Sequence, residues 1–190
     1  MPAFFDQLKD HLARGPVALA TVVASNGSTP RIAGARQLLA IDGTVIGTIG
    51  GGVMESRVIE SARLTLADGR FRSVQADLFG NPHDLQDGVC GGRMTIWLVR
   101  LVGAEALRAV EEIGRSLLFG KRVRLSTSAT GDPSLELLDH AAATGLHETR
   151  FVEVIVPAPR LLIVGAGHIG RALARQMIEL RFVPTVLRCQ

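Results

Sequence analysis

Three consecutive glycines at positions 50, 51 and 52 are the clearest chemical feature of this sequence. Glycine has no Cβ and adopts positive φ, so successive backbone N–H groups can be directed at one anion. Residues 53–67 follow with the pattern of a helix, whose positive N-terminal end would add to the attraction. We therefore predict that Gly50, Gly51 and Gly52 bind a ligand through their backbone, at a phosphate or similar group.

A polar loop upstream offers side-chain donors to the same kind of ligand. Residues 17–24 are an apolar run that predicts a buried strand, and residues 25–31 follow it as a Gly/Pro-containing loop. We predict that the Ser28 hydroxyl and the Arg31 guanidinium donate hydrogen bonds to an oxyanion there. Arg36 joins them as a candidate, because a guanidinium matches phosphate geometry bidentately.

Glu55 stands in the first turn of the helix that follows the glycines. A carboxylate at this position complements the helix dipole. It can equally accept N–H hydrogen bonds from a heterocyclic ligand, and the sequence leaves both interpretations open.

Cys90 precedes the glycine pair Gly91 and Gly92. A thiolate is a preferred ligand of soft metals, and the glycines give a bulky ligand access to it. The alternative is a small buried apolar residue, the usual environment of a single cysteine. No second Cys or His lies at zinc-ligand spacing, so we do not expect zinc. The polar loop around His83, with Asp84 and Asp87, is expected to be solvated rather than an ion site.

Gly165, Gly167 and Gly170 form a G-x-G-x-x-G pattern between a predicted strand at 160–164 and a helix that extends to about residue 180. A further strand is predicted at 183–187, and together these elements predict a Rossmann-type β-α-β unit. The acidic residue that would bind the nucleotide ribose is missing, and Leu187, Arg188 and Cys189 stand there. NAD(P) is therefore a weaker alternative, with Arg188 facing a 2′-phosphate.

Composition excludes several classes of protein. The chain has 190 residues, 47% of them hydrophobic, with a formal net charge of +3 and 21% charged residues. No lysine- and arginine-rich block interleaves with aromatic residues, so nucleic-acid binding is not expected. No signal peptide or membrane-spanning stretch is recognisable, and two cysteines make no disulfide framework. We expect a cytoplasmic protein with no membrane partner.

At this point the chain resembles the xanthine dehydrogenase accessory protein family of the XdhC/CoxI type. The matching segments are VVASNGSTPR at 22–31, GAR at 34–36, GTIGGG at 47–52 with Glu55, CGG at 90–92, and PRLLIVGAGHIGRAL at 159–173. They occur in the family's order and span most of the chain, which makes them more specific together than any one glycine motif.

The resemblance implies a role in cofactor maturation, without catalysis by the chain itself. Family members bind molybdenum cofactor (molybdopterin), hold it while a cysteine desulfurase adds the terminal sulfido ligand, and deliver it to a xanthine dehydrogenase-type molybdoenzyme. On this basis we expect the cofactor phosphate at Gly50, Gly51 and Gly52 with Arg31 or Arg36. The pterin edge is expected near Glu55 and Ser28, and the molybdenum near Cys90.

The sequence predicts an α/β fold in three segments. Residues 1–102 are expected to form the cofactor-binding domain, a mixed sheet with helices, and residues 103–156 a helix-strand extension of it. Residues 157–190 are expected to form a linker and a truncated Rossmann-like β-α-β unit, because relatives continue beyond this length. We expect a homodimer, because the truncated unit would leave apolar sheet edges exposed. CoxI-like relatives carry Cys where this chain has Gly52, so chemistry that needs that thiol is not expected.

Two other functions stay open from the sequence. One is an NAD(P)-dependent oxidoreductase that uses the glycine turn at 165–170. The other is a scaffold between the desulfurase and the apoenzyme that binds no cofactor.

Overall fold

The computed structural model describes residues 2–79, 90–129, 134–137 and 144–188. The predicted polar loop with His83, Asp84 and Asp87 lies outside the described residues, as does Cys189. Four helices are described: α1 (Pro2–Leu12), α2 (Gly52–Asp68), α3 (Gly103–Leu118) and α4 (His168–Glu179). The strands are β1 (Val17–Gly27), β2 (Arg36–Ala40), β3 (Val45–Gly47), β4 (Arg72–Asp77), β5 (Gly92–Leu101), β6 (Val123–Ser128), β7 (Ser134–Leu137), β8 (Gly145–His147), β9 (Arg150–Ile155), β10 (Arg160–Val164) and β11 (Val183–Leu187).

A five-stranded antiparallel sheet in the order β3-β2-β1-β5-β4 is the centre of the molecule. Both of its faces are covered, which explains why β1 is a continuous apolar run rather than an alternating one. Ala18 and Ala20 face α2, whereas Val17 and Leu19 face α1 and α3. Successive side chains of a strand point to opposite faces, so one strand supplies both cores.

The core on the α1 and α3 side continues into a second antiparallel sheet, ordered β7-β6-β9-β8. Val123 and Leu125 of β6 and Ile155 of β9 are buried in the same cluster as Phe5 and Leu8 of α1. The described part of residues 2–155 therefore has a hydrophobic core that extends across two sheets.

The remaining residues form a parallel β10-α4-β11 unit, with β10 and β11 paired directly. Ile163 of β10 is buried beneath α4, beside Gly170. Most of this unit is exposed. Its connection to the rest of the molecule includes a hydrogen bond from Arg160 Nη2 to the Leu118 carbonyl, at 2.8 Å.

The α/β fold class and the helix predicted at 53–67 are confirmed. Asp42 and Gly43, a pair typical of two-residue hairpin turns, lie in the turn between β2 and β3. Two features differ from the predictions. Strand β1 does not stop at residue 24 but continues to Gly27, because its pairing with β5 resumes after a bulge between Val22 and Ala24. Strands β7 and β8 were not predicted, since both are short edge strands held by pairing with β6 and β9.

Candidate functional site

Three of the segments singled out in the sequence meet at one end of the five-stranded sheet. Strand β1 ends at Gly27, which pairs with Gly92 at the start of β5. The loop that leaves β1 carries Ser28 and Arg31, and the segment that enters β5 carries Cys90. Helix α2 begins at the same end, at the third of the three glycines.

Gly92 lies where the loop after β1 crosses β5 most closely. A Cβ added at Gly92 would lie against the Ser28 carbonyl oxygen, 2.6 Å from the Asn26 oxygen and 2.7 Å from Thr29 Cγ2. Two of these three atoms belong to the backbone and cannot rotate away. Gly92 is buried in this crossing, so its absent side chain lets the Ser28 loop pack onto the segment that carries Cys90.

Gly50 makes the corresponding contact on the other side of the loop. A Cβ at Gly50 would lie 2.6 Å from Pro30 Cγ, so the pyrrolidine ring occupies the space that a side chain would need. The Ser28–Thr29–Pro30 stretch is thus packed between the glycine turn and the Gly92 strand. The fold brings the three segments into direct contact, although they are distant in sequence.

Glu55 holds the glycine turn together. One carboxylate oxygen, Oε2, accepts hydrogen bonds from Thr48 Oγ1 at 2.5 Å, from the Gly51 N–H at 3.0 Å and from the Ile49 N–H at 3.3 Å. Partial burial raises the pKa of the Glu55 carboxyl, but these hydrogen bonds outweigh it and leave the pKa below its ordinary value. The carboxylate form is therefore the one that the turn requires.

These hydrogen bonds decide which backbone groups of the turn can meet a ligand. The Ile49 and Gly51 N–H groups point to Glu55, and the Gly50 N–H donates to Thr48 Oγ1 at 3.1 Å. Gly51 is the N-cap of α2, with φ of 84°, and no side chain caps the helix there. Gly51 and Gly52 are exposed with open space above their Cα atoms. The open part of the predicted anion site is therefore the first turn of α2, beginning at Gly52.

Cys90 is a free, exposed cysteine, two residues before the crossing at Gly92. The neighbouring backbone is fixed by hydrogen bonds in both directions between Leu78 and the glycine pair: Gly91 N–H to the Leu78 oxygen, and Leu78 N–H to the Gly92 oxygen, both at 2.8 Å. The interpretation of Cys90 as a buried apolar residue does not match its exposure. Its thiol lies in solvent at the end of the sheet that carries the Ser28 loop.

Arg31 and Arg36 have different environments. Arg31 is exposed on the loop and donates from Nη1 to the Pro30 carbonyl at 3.1 Å. Arg36 is buried on β2, where it forms an ion pair with Glu153 of β9 and lies over the Phe5 ring at 5.3 Å from its centroid. Burial raises the pKa of the Glu153 carboxyl, although the charge of Arg36 opposes that shift. Arg36 is thus largely engaged by the protein, and Arg31 is free to meet an anion.

The second glycine motif lies in its own unit. The Gly165 N–H donates to the Leu187 carbonyl at 2.9 Å, and Gly170 packs so closely on the Gly165 carbonyl that no Cβ fits between them. Gly167 is the N-cap of α4, and His168 is the first residue of that helix. Within the described residues, no hydrogen bond joins this turn to the three segments at the end of the central sheet.

Sequence reasoning missed two residues that shape the site, Thr48 and Glu153. Thr48 bridges Glu55 and Gly50, and a threonine two residues before a glycine is too common to single out. Glu153 did carry a signal, because it is an isolated acid within the apolar run Phe151–Ile155. No group of three or more metal-ligating side chains occurs among the described residues, and none of the described helices has the length and apolarity to cross a bilayer.

Comparisons with known proteins bear on the family and the fold. Residues 11–77 match the model of the XdhC and CoxI family. The uncharacterized protein YqeB of Escherichia coli (strain K12) is 28% identical over 167 residues, which are 88% of this chain and 21% of YqeB. A crystal structure described as a xanthine dehydrogenase from Bacillus halodurans has a TM-score of 0.78 at 22% identity, over 96% of this chain and 61% of that one. The chain thus spans about a fifth of YqeB and three fifths of the Bacillus chain. These matches confirm the resemblance to the XdhC/CoxI type.

Proposed function

We propose that this chain, with its XdhC and CoxI family segment at residues 11–77, binds molybdenum cofactor and delivers it to a xanthine dehydrogenase-type molybdoenzyme. It holds the cofactor while a cysteine desulfurase supplies the terminal sulfido ligand. The chain itself turns over no substrate. The cofactor is cargo, so the site must bind it tightly enough to protect it and release it to the apoenzyme.

The observation that carries this proposal is the contact between the three segments at the end of the central sheet. An exposed thiol at Cys90, an exposed guanidinium at Arg31 and the open start of α2 at Gly52 lie at that one end. Molybdopterin presents a metal bound to sulfur, a polar pterin and a phosphate. A soft ligand, a cation and a helix N-terminus match that set of groups.

The assignments within the site follow from which groups the protein leaves available. Cys90 faces the molybdenum, and Ser28 contributes a hydroxyl at the pterin edge. Arg31 and the first turn of α2 face the phosphate. Glu55 acts on the ligand only through the turn, because its Oε2 accepts three hydrogen bonds from the protein. Because the Glu55 carboxylate would repel an anion, we expect the phosphate to approach the first turn of α2 from the side of Gly52.

Cofactor binding by purified protein tests the proposal. The chain is mixed anaerobically with released molybdenum cofactor and gel-filtered, and molybdenum and the fluorescence of the oxidised pterin are measured in the protein fraction. We expect both to co-elute with the wild type. Cys90→Ala is expected to retain less molybdenum, and Cys90→Ser to behave like it. Cys189→Ala is the matched control, because Cys90 and Cys189 are the two cysteines of the sequence.

Three outcomes are informative. Loss of molybdenum with Cys90→Ala but not with Cys189→Ala supports the carrier function and the role of the thiol. Equal retention by all variants keeps the carrier and removes Cys90 from the metal site. No retention by the wild type rejects cofactor carriage and favours a scaffold between the desulfurase and the apoenzyme.

A further inference from the structure

A cleft lies between the central sheet and the β10-α4-β11 unit. This cleft has a volume of about 600 Å³ and is lined by α1, by the loop after β1, by β3 and by Arg181, which follows α4. Its lining includes Arg31, Arg36 and Arg181, together with Thr48 and Phe4. The cleft is therefore lined by residues of both parts of the chain.

The charges in the cleft have one sign. Its lining includes three guanidinium groups and no carboxylate. Arg36 forms an ion pair with Glu153, which does not line the cleft. Arg31 and Arg181 are exposed and form no ion pair within the described part of the chain. Arg36 Nε is buried and makes no hydrogen bond among the described residues.

The backbone at Arg181 is strained. Helix α4 ends with hydrogen bonds from the Arg181 N–H to Ile178 and from the Phe182 N–H to Met177, the pattern in which the residue at position 181 is normally glycine. Arg181 instead adopts this left-handed conformation with φ of 64°. Backbone strain of this kind is concentrated at functional sites. An arginine here fixes a cation at the cleft, which glycine would not supply.

We propose that this cleft binds the phosphate of an organic phosphate, with Arg31 and Arg181 as the two guanidinium ligands. The Phe4 ring offers an apolar contact to a planar heterocycle attached to that phosphate. In naming molybdopterin as the bound phosphate ester, the inference rests on the proposed function, and it replaces the first turn of α2 by Arg181 as the partner of Arg31 at the phosphate. The new elements are the cleft itself and Arg181, which makes the β10-α4-β11 unit part of the binding site.

The cleft is separate from the glycine turn at 165–170. The turn precedes α4 and Arg181 follows it, so a helix of 12 residues, about 18 Å long, separates them. A ligand held by Arg181 does not reach the turn. The β10-α4-β11 unit therefore contributes to the cleft through the C-terminal end of α4, whereas its glycine motif lies at the N-terminal end of that helix.

Binding of defined phosphates to the whole chain tests the proposal. The probes are the oxidised pterin phosphate released from molybdenum cofactor, the same pterin after phosphatase treatment, AMP and inorganic phosphate, each titrated calorimetrically. The variants are Arg31→Ala and Arg181→Gly, with Arg175→Ala on the exposed surface of α4 as the matched control. Glycine suits the left-handed backbone at 181, so Arg181→Gly should fold with an unfolding temperature equal to or above that of the wild type.

We expect the pterin phosphate to bind and its dephosphorylated form to bind more weakly. Arg31→Ala and Arg181→Gly should each weaken the phosphorylated probe by about 10-fold to 100-fold, as expected for loss of a charged hydrogen bond. Arg175→Ala should bind as the wild type does. AMP or inorganic phosphate that binds and loses affinity in the same two variants also supports the cleft, even if intact cofactor fails to co-elute with the protein.

Two results would overturn the inference. One is co-elution of intact cofactor while Arg31→Ala and Arg181→Gly bind the pterin phosphate with wild-type affinity, which rejects the cleft and leaves the proposed function standing. The other is binding of AMP that is insensitive to Arg181→Gly, together with no binding of the pterin phosphate, which places phosphate binding outside the cleft.

Discussion

At the scale of single residues, Glu55 fixes the conformation of the glycine turn through its carboxylate. Three donors from Thr48, Ile49 and Gly51 converge on one of its oxygens, and the glycine turn depends on them. Hydrogen bonds to a charged acceptor are stronger than neutral ones. The sequence left Glu55 open as a group that binds a heterocycle, whereas in the structure its carboxylate oxygen Oε2 is used to hold the glycine turn.

Replacing Glu55 by Gln should destabilise the protein by about 1–2 kcal/mol at neutral pH, because the amide oxygen is a weaker acceptor than the carboxylate. The pKa of Glu55 is lowered in the folded protein, so its contribution is complete above its ordinary pKa of 4.5 and is lost as the pH falls through the lower folded value. The difference in unfolding free energy between wild type and Glu55→Gln, measured by urea denaturation, should therefore shrink below about pH 4.5.

Glu60→Gln is the control for this series, since Glu60 lies exposed on the same helix. It should change stability little at any pH. A Glu55→Gln difference that stays constant from pH 7 to pH 3 would show that the charge of Glu55 does not support the turn.

At the scale of elements, the ion pair between Arg36 and Glu153 ties the two antiparallel sheets together. Arg36 belongs to β2 and Glu153 to β9, and both side chains are about 95% buried. Two buried charges bring a large desolvation penalty, which their mutual attraction only partly offsets. Loss of either partner would leave the other charge buried without compensation.

Glu153→Gln should therefore destabilise the protein by about 3–5 kcal/mol, because it leaves the Arg36 charge buried without its partner. The double variant Arg36→Met with Glu153→Met should lose less than the sum of the two single Met variants, since it removes both charges together. Thermal and urea unfolding of the wild type, Arg36→Met, Glu153→Met and the double variant measures this coupling. Additive losses would mean that the two side chains act independently.

At the scale of the whole molecule, the β10-α4-β11 unit exposes an apolar surface. Ile163 faces α4, so the alternate residues of β10 and β11 face away from the helix. That face carries Leu162, Val164, Val183 and Leu187, each between 47% and 67% exposed. Contiguous exposed apolar residues of this kind mark an interaction surface, and the homodimer expected from the sequence stays a prediction that this face supports.

We predict that the chain self-associates through this face. Sedimentation velocity over a range of concentrations should reveal dimer in the wild type and mainly monomer in a variant with Leu162→Lys and Val164→Glu. Ile169→Lys is the matched control, because Ile169 is 85% exposed but lies at the start of α4 rather than on the strand face. A wild type that remains monomeric at every concentration would refute the prediction.

The sequence alone determined the features that depend on local backbone preference. The hairpin at Asp42 and Gly43, the end of α2 at Gly69 and the parallel β-α-β unit all follow from residues next to one another in the chain. The order of the glycine segments was enough to show the resemblance to the XdhC/CoxI type, because each glycine meets a local requirement for a tight turn or a close approach.

The tertiary structure decided how those segments are used. Only contacts between residues distant in sequence could place Pro30 against Gly50. The same is true of the ion pair between Arg36 and Glu153, which occupies a guanidinium that the sequence had suggested for phosphate binding. Only the placement of the last unit could bring Arg181 to a cleft beside Arg31. A side chain's type and its neighbours in sequence do not specify which partner reaches it, since that depends on burial and on the competition between all groups that the fold brings close.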